Sequence, residues 1–199
     1  MLETTLDLAF KGERDYLHGT DVFNQTLSWL ENELPAAPIQ DIDFSFHHLA
    51  RHQIKLILGA LPEGVEAFSV CTFSQAGQRQ KAYLIETEEP VTGRYPYPED
   101  EMVAPMECDL AAKRGVLRGP IAYSDIEVWV AMTKALHYKV FPQYSGKWLF
   151  VRGRFPRYSR HSEAPERTLV IAASFNDRLT RSEVLLDGQK VGEIYFSIV

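Results

Sequence analysis

The stretch GERDYLHGTDVFN, residues 12–24, concentrates side chains that can carry charge or exchange protons. A histidine and a carboxylate are the usual partners in general acid–base catalysis, and a carboxylate can also activate water. Polar residues in such a position could equally do no more than begin the helix that QTLSWLENEL predicts next. The choice between these roles depends on the elements that position the stretch. Its titratable residues are Glu13, Arg14, Asp15, Tyr16, His18 and Asp21.

A one-faced helix is predicted directly after the stretch, because large apolar residues recur there at helical spacing. Thr20 or Asp21 could cap the amino end of this helix by accepting hydrogen bonds from backbone amides, and Pro35 would end it. The apolar residues are Phe23, Leu27, Leu30 and Leu34.

The second half of the chain repeats this plan. LDLAFKGERDYLHG (6–19) aligns with CDLAAKRGVLRG (108–119) through shared Asp-Leu-Ala, Lys and Leu-x-Gly positions. A second helix pattern follows, which Ser124 or Asp125 could cap and Pro142 would end. An internal repeat of this length indicates two units of similar structure.

Strand patterns follow each helix, and their alternation of apolar and polar residues predicts antiparallel sheets with one buried face. A long helix followed by a strand meander is an α+β plan in which the sheet curls around the helix. We predict units at residues 1–90 and 108–199, joined by a proline-rich linker at 91–107. The predicted strands are 39–48, 50–58, 65–74 and 78–87 in the first half, and 146–155, 167–175, 181–187 and 190–199 in the second.

Two such copies in one chain resemble the hot-dog superfamily, the fold of thioesterases and 3-hydroxyacyl thioester dehydratases. The resemblance is one of architecture and covers nearly the whole chain. It implies a double hot dog, in which two units, each with a long central helix wrapped by an antiparallel sheet, form a pseudo-dimer. It also implies an acyl tunnel between the units, with the thioester carbonyl near the amino end of a central helix, where free amides and the helix dipole stabilise an oxyanion.

In the dehydratase branch of that superfamily, a histidine of one unit works with a carboxylate from the helix of the other. The resemblance assigns these roles here to His18, which precedes Gly19, and to Asp125 or Glu127. His18 would remove the α-proton, and the carboxylate would protonate the leaving hydroxyl. The fuller dehydratase pattern, His-Phe-x-Gly-x-Pro-x-Met-Pro-Gly, is absent, and Arg118 stands where a second histidine would lie.

The thioesterase branch implies a different assignment, in which Asp21 leads hydrolysis and Asn24 or Gln25 orients water. The thioesterase signatures are incomplete in this sequence, and the run HGTD matches only part of them. Tyr16 and Gly19 would then lie beside the substrate. The structural alternative is that His18 bonds a carbonyl in a turn and that Asp21 only caps a helix.

Four arginines, Arg152, Arg154, Arg157 and Arg160, lie in VRGRFPRYSRH at residues 151–161. They could bind the phosphates of coenzyme A or an acidic acyl carrier protein through bidentate contacts. Alternatively they form a solvated strand face that pairs with the acidic first half of the chain.

Metal binding and cofactors are not predicted. His47 and His48 point to opposite sides of one strand, and His52 has no cysteine beside it. The two cysteines, Cys71 and Cys108, are far apart and match no metal-binding spacing, so we expect reduced thiols in a cytosolic protein.

Charge is distributed unevenly along the chain. Residues 1–112 hold 7 Lys and Arg against 19 Asp and Glu, whereas residues 113–199 hold 14 against 8, for a net charge of −6. The acidic total, without a basic stripe interleaved with aromatic residues, argues against nucleic acid as a partner. No apolar run approaches the roughly 20 residues that span a bilayer.

These features predict a cytosolic protein that binds acyl-CoA or an acyl carrier protein and works in fatty acid or polyketide metabolism. Dehydration of a 3-hydroxyacyl thioester is favoured over thioester hydrolysis. A non-catalytic protein that binds acyl chains or a partner is the third alternative. Pairing along sheet edges would also allow a homodimer.

Overall fold

The computed structural model describes residues 2–176 and 178–199. The chain divides into two compact units, Met1–Tyr97 and Pro98–Val199. Each unit consists of an antiparallel sheet and a long helix with a strongly buried face. Among the residues described, no helix combines the length and the apolar content that a bilayer crossing requires.

The first unit builds its sheet in the order β1-β4-β6-β5-β3, with every neighbouring pair antiparallel. The short strands β2 and β7 pair in parallel outside this sheet. Its elements are β1 (Leu2–Leu6), β2 (Phe10–Lys11), α1 (Gly19–Glu33), β3 (Gln40–Phe46), β4 (His52–Leu58), β5 (Ser69–Gln75), β6 (Gln78–Pro90) and β7 (Arg94–Tyr95).

The second unit orders its strands β10-β13-β12-β11-β9-β8, again with antiparallel neighbours. A short helix, α2, contacts the long helix α3, and Lys134 of α3 pairs with Glu99 of α2 at 2.7 Å. Its elements are α2 (Glu99–Val103), β8 (Glu107–Asp109), β9 (Arg114–Arg118), α3 (Asp125–Val140), β10 (Trp148–Phe155), β11 (Glu166–Phe175), β12 (Leu179–Leu186) and β13 (Gln189–Ile198).

Both long helices and all the strand patterns predicted from periodicity overlap an observed element. Periodicity missed the short strands β1, β2, β7, β8 and β9. Of these, β2, β7 and β8 hold only two or three residues, too few to show alternation. The segment 91–107, predicted to be a linker, contains β7 and α2. Its role as a linker, and the unit boundaries at 90 and 108, remain predictions.

The predicted meander of four strands is observed in the second unit only for its last three strands, because β10 pairs with β13 and not with β11, and it is wrong in the first unit. In the second unit β11, β12 and β13 are consecutive neighbours, because the connection after β11 is short and enforces a hairpin. In the first unit β4 pairs with β6, so that β5 lies one position further along the sheet. The connection at residues 59–68 is long enough to pass β6 before β5 begins.

The apolar face of α1 is buried as predicted, with Phe23 and Leu30 fully enclosed and the Phe23 ring 5.2 Å from that of Phe44. Burying each such side chain contributes roughly 1.5–3 kcal/mol. Helix α3 is enclosed more completely, because its buried residues occupy nearly every position from Asp125 to Thr133. Each helix is therefore fixed to its unit by packing along its length, which holds its amino end in place.

His137 is the polar centre of the second unit's core. Its side chain is fully buried, with Nδ1 2.7 Å from the carbonyl oxygen of Thr133 and Nε2 2.6 Å from Oγ1 of Thr180. The ring packs edge-on against Trp148 at 4.5 Å. Burial lowers the pKa of His137 to about 4, against an opposing contribution from the Thr133 carbonyl bond. His137 is therefore neutral at pH 7.

This burial predicts a pH-dependent stability. The unfolded chain takes up a proton at His137 below about pH 6.5, whereas the folded chain does so only near pH 4. Stability from this group is therefore complete above pH 6.5 and is lost as the pH falls towards 4, by about 3 kcal/mol. Urea unfolding at pH 7 and pH 4.5 should show a smaller difference for His137→Gln than for the unsubstituted protein. The exposed His161→Gln is the control, and equal pH dependence in all three proteins would contradict the assignment.

Candidate functional site

His18 is the N-cap residue of α1 and is buried, with 7% of its surface exposed. Its backbone is extended, and its Nδ1 atom lies 2.6 Å from Oγ1 of Thr20. Thr20 is fully buried, and its hydroxyl also accepts a hydrogen bond from Nζ of Lys11 at 3.2 Å. The entrance of α1 therefore joins an imidazole, a hydroxyl and an ammonium group in one connected cluster.

The ammonium group of Lys11 is the charged centre of this cluster, although the side chain is completely buried. Nζ lies 2.8 Å from Oδ1 of Asp21, which neutralises the charge. It also lies 4.2 Å from the ring centroid of Tyr97 and 5.8 Å from that of Tyr95. The Tyr95 hydroxyl donates to the second oxygen of Asp21. Ion pairing and cation–π contacts together replace the water that a buried ammonium group loses.

The short parallel pair of β2 and β7 brings these residues together. Lys11 is in register with Tyr95, and Phe10 with Arg94, so residues far apart in sequence meet beside α1. The Arg94 guanidinium fastens the turn after β2 by donating to the carbonyl oxygens of Gly12 and Arg14.

Two backbone amides remain open at the entrance of α1. The amides of Asp21 and Val22 donate to the carbonyl oxygen of His18. Within residues 2–176 and 178–199, the amide hydrogens of Gly19 and Thr20 have no acceptor. Open amides at the positive end of a helix dipole favour a bound anion or a polarised carbonyl oxygen.

The entrance of α3 is closed in comparison. The amide of Asp125 donates to the carbonyl oxygen of Arg160 at 2.8 Å, and that of Ile126 to the Tyr158 hydroxyl at 3.3 Å. Ser124 and Glu127 form a capping box. The Ser124 side chain accepts a hydrogen bond from the amide of Glu127, and the Glu127 side chain accepts one from the amide of Ser124 at 3.0 Å. Each of the first three amides of α3 is therefore satisfied within the unit.

Asp125 is held by a buried ion pair with Arg167. Both side chains are almost inaccessible, and the guanidinium donates from Nε at 3.0 Å and from Nη2 at 2.9 Å to the same carboxylate oxygen. The amide of Ser162 donates to the other oxygen at 3.2 Å. Arg167 also donates to the carbonyl oxygens of Ser162 and Ala164, so the pair fastens the loop before β11.

The remaining predicted residues of the first unit lie on or beside α1. Gly19 is the first residue of the helix, Asn24 is buried one turn further on, and Tyr16 is half-buried in the preceding loop. Gln25 donates to the carbonyl oxygen of Asp7 at 3.0 Å, which ties α1 to the segment after β1.

The four predicted arginines lie along β10 and the loop that follows it. Arg152 and Arg154 alternate with the buried Gly153 and so share one face of the strand. The Arg152 guanidinium lies 5.6 Å from the Tyr195 ring, and Arg154 lies 3.9 Å from a carboxylate oxygen of Glu193. The last two, Arg157 and Arg160, are exposed in the loop.

The histidines of the first unit's sheet bind protein groups. His47 Nδ1 lies 3.1 Å from the carbonyl oxygen of Ala67, and His52 Nδ1 lies 2.9 Å from a carboxylate oxygen of Glu86. Burial raises the pKa of Glu86, but hydrogen bonds from Arg51 and His52 outweigh it and lower that pKa overall. In the described part of the chain, no group of three or more His, Cys, Asp and Glu residues could hold a metal ion.

Sequence patterns pointed to His18, Gly19 and Asp21 but missed Lys11, Tyr95 and Tyr97. Lys11 appeared only as a repeat position matching Lys113, and Lys113 is exposed. The run YPYP at residues 95–98 is the one local signal for the tyrosines, since it alternates two aromatic residues with two prolines.

No protein-family model and no curated protein matches this sequence. Solved structures do match. The tesB protein of Mycobacterium avium subsp. paratuberculosis is 12% identical with a TM-score of 0.57, and the match covers 99% of this chain and 92% of that one. The dehydratase domain of PpsC from Mycobacterium tuberculosis, in complex with C12:1-CoA, is 11% identical with a TM-score of 0.58 and the same coverage.

A third match is a Novosphingobium aromaticivorans protein named for a proposed thioesterase activity. It is 13% identical with a TM-score of 0.50, over 99% of this chain and 94% of that one. These structures share the hot-dog fold, and the chain therefore has that fold, as the element order predicted.

The buried pair of Asp125 and Arg167 predicts a strong effect on stability. Arg167→Met should reduce the free energy of unfolding by about 3–5 kcal/mol, because it leaves a buried carboxylate without its cation. The double variant Arg167→Met/Asp125→Leu should recover most of that loss in urea unfolding.

Arg118→Gln provides the matched control. Arg118 is exposed and pairs with Glu107 at 2.8 Å and with Glu166 at 3.0 Å. Exposed ion pairs contribute little to stability because water screens them, so the loss for Arg118→Gln should be much smaller than that for Arg167→Met. Equal losses for Arg118→Gln and Arg167→Met would show that Asp125 is not anchored by its partner.

Proposed function

We propose that the chain binds acyl thioesters at the entrance of α1 and dehydrates 3-hydroxyacyl thioesters there. One observation carries this proposal: a buried histidine occupies the N-cap position of the helix whose first two amides are open, near a buried lysine whose charge is paired with Asp21. The closed entrance of α3 supports a single active entrance in the chain. The PpsC dehydratase domain, with a bound acyl-CoA, shares the fold. We further infer that the two units form a double hot dog, a pseudo-dimer.

The open amides of Gly19 and Thr20 would receive the thioester carbonyl oxygen. Removal of a proton from the α-carbon places negative charge on that oxygen, and hydrogen-bond donors at a helix terminus stabilise this charge without reorganising. His18, next to these amides, is the group that would exchange the proton with the substrate. His18 and Lys11 are buried, and the exclusion of water would strengthen both the hydrogen bonds from the amides to the thioester oxygen and the contact of His18 with the substrate.

Asp125 and Glu127 remain the predicted carboxylate partners of His18. Glu127 is half-buried and forms the capping box with Ser124. Asp125 would have to leave its bidentate ion pair with Arg167 to donate a proton.

Thioester hydrolysis led by Asp21 is the second candidate, and the thioesterase name of one structural match favours it. Against it, both oxygens of Asp21 are engaged, one by Lys11 and the other by Tyr95. Asp21 would have to give up one of these contacts before it could attack a thioester or activate water. Binding without catalysis is the third candidate, because no sequence motif of either enzyme is complete.

The expected partners are acyl-CoA or an acyl carrier protein in the cytoplasm, with the arginines from Arg152 to Arg160 as the phosphate contacts. Arg157 and Arg160 are the more accessible pair. A homodimer is compatible with this proposal. Both cysteines are free thiols, which suits a reducing compartment.

Purified protein should convert 3-hydroxyacyl thioesters to enoyl thioesters, measured as double-bond absorbance without release of free thiol. His18→Ala should lower kcat/KM roughly 10²–10⁴-fold, the usual contribution of a positioned acid or base. The exposed His161→Ala should leave kcat/KM unchanged.

Two other results of this assay would instead support thioester hydrolysis or binding without catalysis. Thiol release that Asp21→Asn abolishes would establish hydrolysis. Neither product, with an increase in Tm on adding thioester, would indicate binding alone. Full dehydratase turnover by His18→Ala would refute the proposed mechanism.

Arg157 and Arg160 are expected to contact only the phosphates of coenzyme A. Arg157→Gln/Arg160→Gln should raise KM several-fold for a CoA thioester and leave kcat unchanged, because phosphate contacts are equal in the ground and transition states. The matching N-acetylcysteamine thioester, which lacks phosphates, should show no change in KM. Equal changes for both substrates would exclude a phosphate contact.

A further inference from the structure

The hydroxyl group of Thr20 connects an ammonium group to an imidazole. Oγ1 lies 3.2 Å from Nζ of Lys11 and 2.6 Å from Nδ1 of His18, and the side chain is fully buried. Over the described residues, these are the only hydrogen-bond partners of that hydroxyl.

The donors and acceptors in this chain fix its direction. An ammonium group can only donate, so Lys11 occupies a lone pair of Oγ1. The hydroxyl hydrogen then needs an acceptor, since buried polar hydrogens are almost always paired. Nδ1 of His18 is the one that remains. We infer that Thr20 donates to Nδ1, and that His18 therefore rests as the neutral tautomer with its hydrogen on Nε2.

The alternative states of His18 are disfavoured by the same contacts. A hydrogen on Nδ1 would donate to Oγ1 and leave the Thr20 hydrogen buried without an acceptor. That penalty makes the alternative tautomer roughly tenfold to a hundredfold rarer. The doubly protonated ring would meet the same conflict and add a positive charge near Lys11.

The charged groups around His18 in the first unit do not reverse this preference. Asp21 is committed to Lys11 at 2.8 Å. The ring of Tyr97 lies 5.9 Å from the imidazole and carries the guanidinium of Arg14 at 5.7 Å from its own centroid. Asp21 and Arg14 are therefore each already engaged by another side chain, Lys11 and Tyr97 respectively.

This inference deepens the proposed function and rests on it for the identity of the ligand. A neutral imidazole with its hydrogen on Nε2 is a donor at that atom and not a base. The open amides of Gly19 and Thr20 would then receive the acceptor group of the ligand, such as a thioester carbonyl. His18 can accept the α-proton on Nε2 only after its hydrogen moves to Nδ1, which requires Thr20 to release the imidazole. Lys11 and Thr20 are therefore positioning residues that set the resting state of His18.

The test is the nitrogen chemical shift of the His18 ring in the full, ¹⁵N-labelled chain at pH 7, assigned by loss of the signal in His18→Gln. We expect a protonated Nε2 and an unprotonated Nδ1. Thr20→Ser keeps the hydroxyl and should keep this pattern. The nearly isosteric Thr20→Val should move the tautomer ratio towards Nδ1–H at least roughly tenfold, because the donor to Nδ1 is lost. The charge-matched Lys11→Met/Asp21→Asn should give a mixture of tautomers, since the hydroxyl can then donate or accept.

A hydrogen on Nδ1, or a doubly protonated ring, in the unsubstituted protein would overturn the inference. So would an unchanged pattern in Thr20→Val, once its remaining amide spectrum shows that it is folded. These readouts do not depend on turnover. If His18→Ala keeps full activity while the ring shows the expected tautomer, the proposed function fails and the tautomer assignment stands.

Discussion

The buried ammonium group of Lys11 is the interaction on which the entrance of α1 depends. An unpaired charge at this depth would cost several kcal/mol, so every group around it is placed to compensate. Asp21 supplies the opposite charge, Thr20 an acceptor, and Tyr95 and Tyr97 their ring faces. The parallel pairing of β2 with β7 supplies both the lysine and the tyrosines, which explains why such short strands persist outside the main sheet.

The need to compensate the buried charge of Lys11 distinguishes the entrance of α1 from that of α3, although the sequences before the two helices are similar. At α3 the same problem of open amides is solved locally, by the capping box of Ser124 and Glu127 and by the loop that Arg167 fastens to Asp125. At α1 the N-cap side chain is an imidazole that bonds Thr20 and does not cap the helix. Among the described residues, the α1 entrance therefore leaves two amide donors without an acceptor, whereas the α3 entrance uses its donors for stability.

The architecture could be predicted from sequence because its signals are local and repeated. Helical spacing located α1 and α3, and alternation located the strands that follow them. The order of strands in the first unit could not be predicted, since only the length of the connection at residues 59–68 hints that β5 passes β6. Of the candidate site, His18 and Asp21 were found because they lie beside the helix start. Lys11, Tyr95 and Tyr97 were missed because their meeting depends on β2 and β7, which pair across a wide sequence separation.

The contrast between His18 and His137 shows why a buried histidine does not by itself indicate function. Both rings are enclosed and both bond a threonine hydroxyl. His137 also bonds the Thr133 carbonyl and is surrounded by aromatic rings, so both of its nitrogen atoms are satisfied in the core. The threonine bound to His18 is instead linked to a cation, and His18 is the N-cap residue of a helix whose first amides are open. Because Lys11 fixes the direction of the Thr20 hydrogen bond, the tautomer of His18 depends on a residue that is linked to it through Thr20. A lysine that stabilises the fold of the first unit thereby also sets the resting state of its histidine.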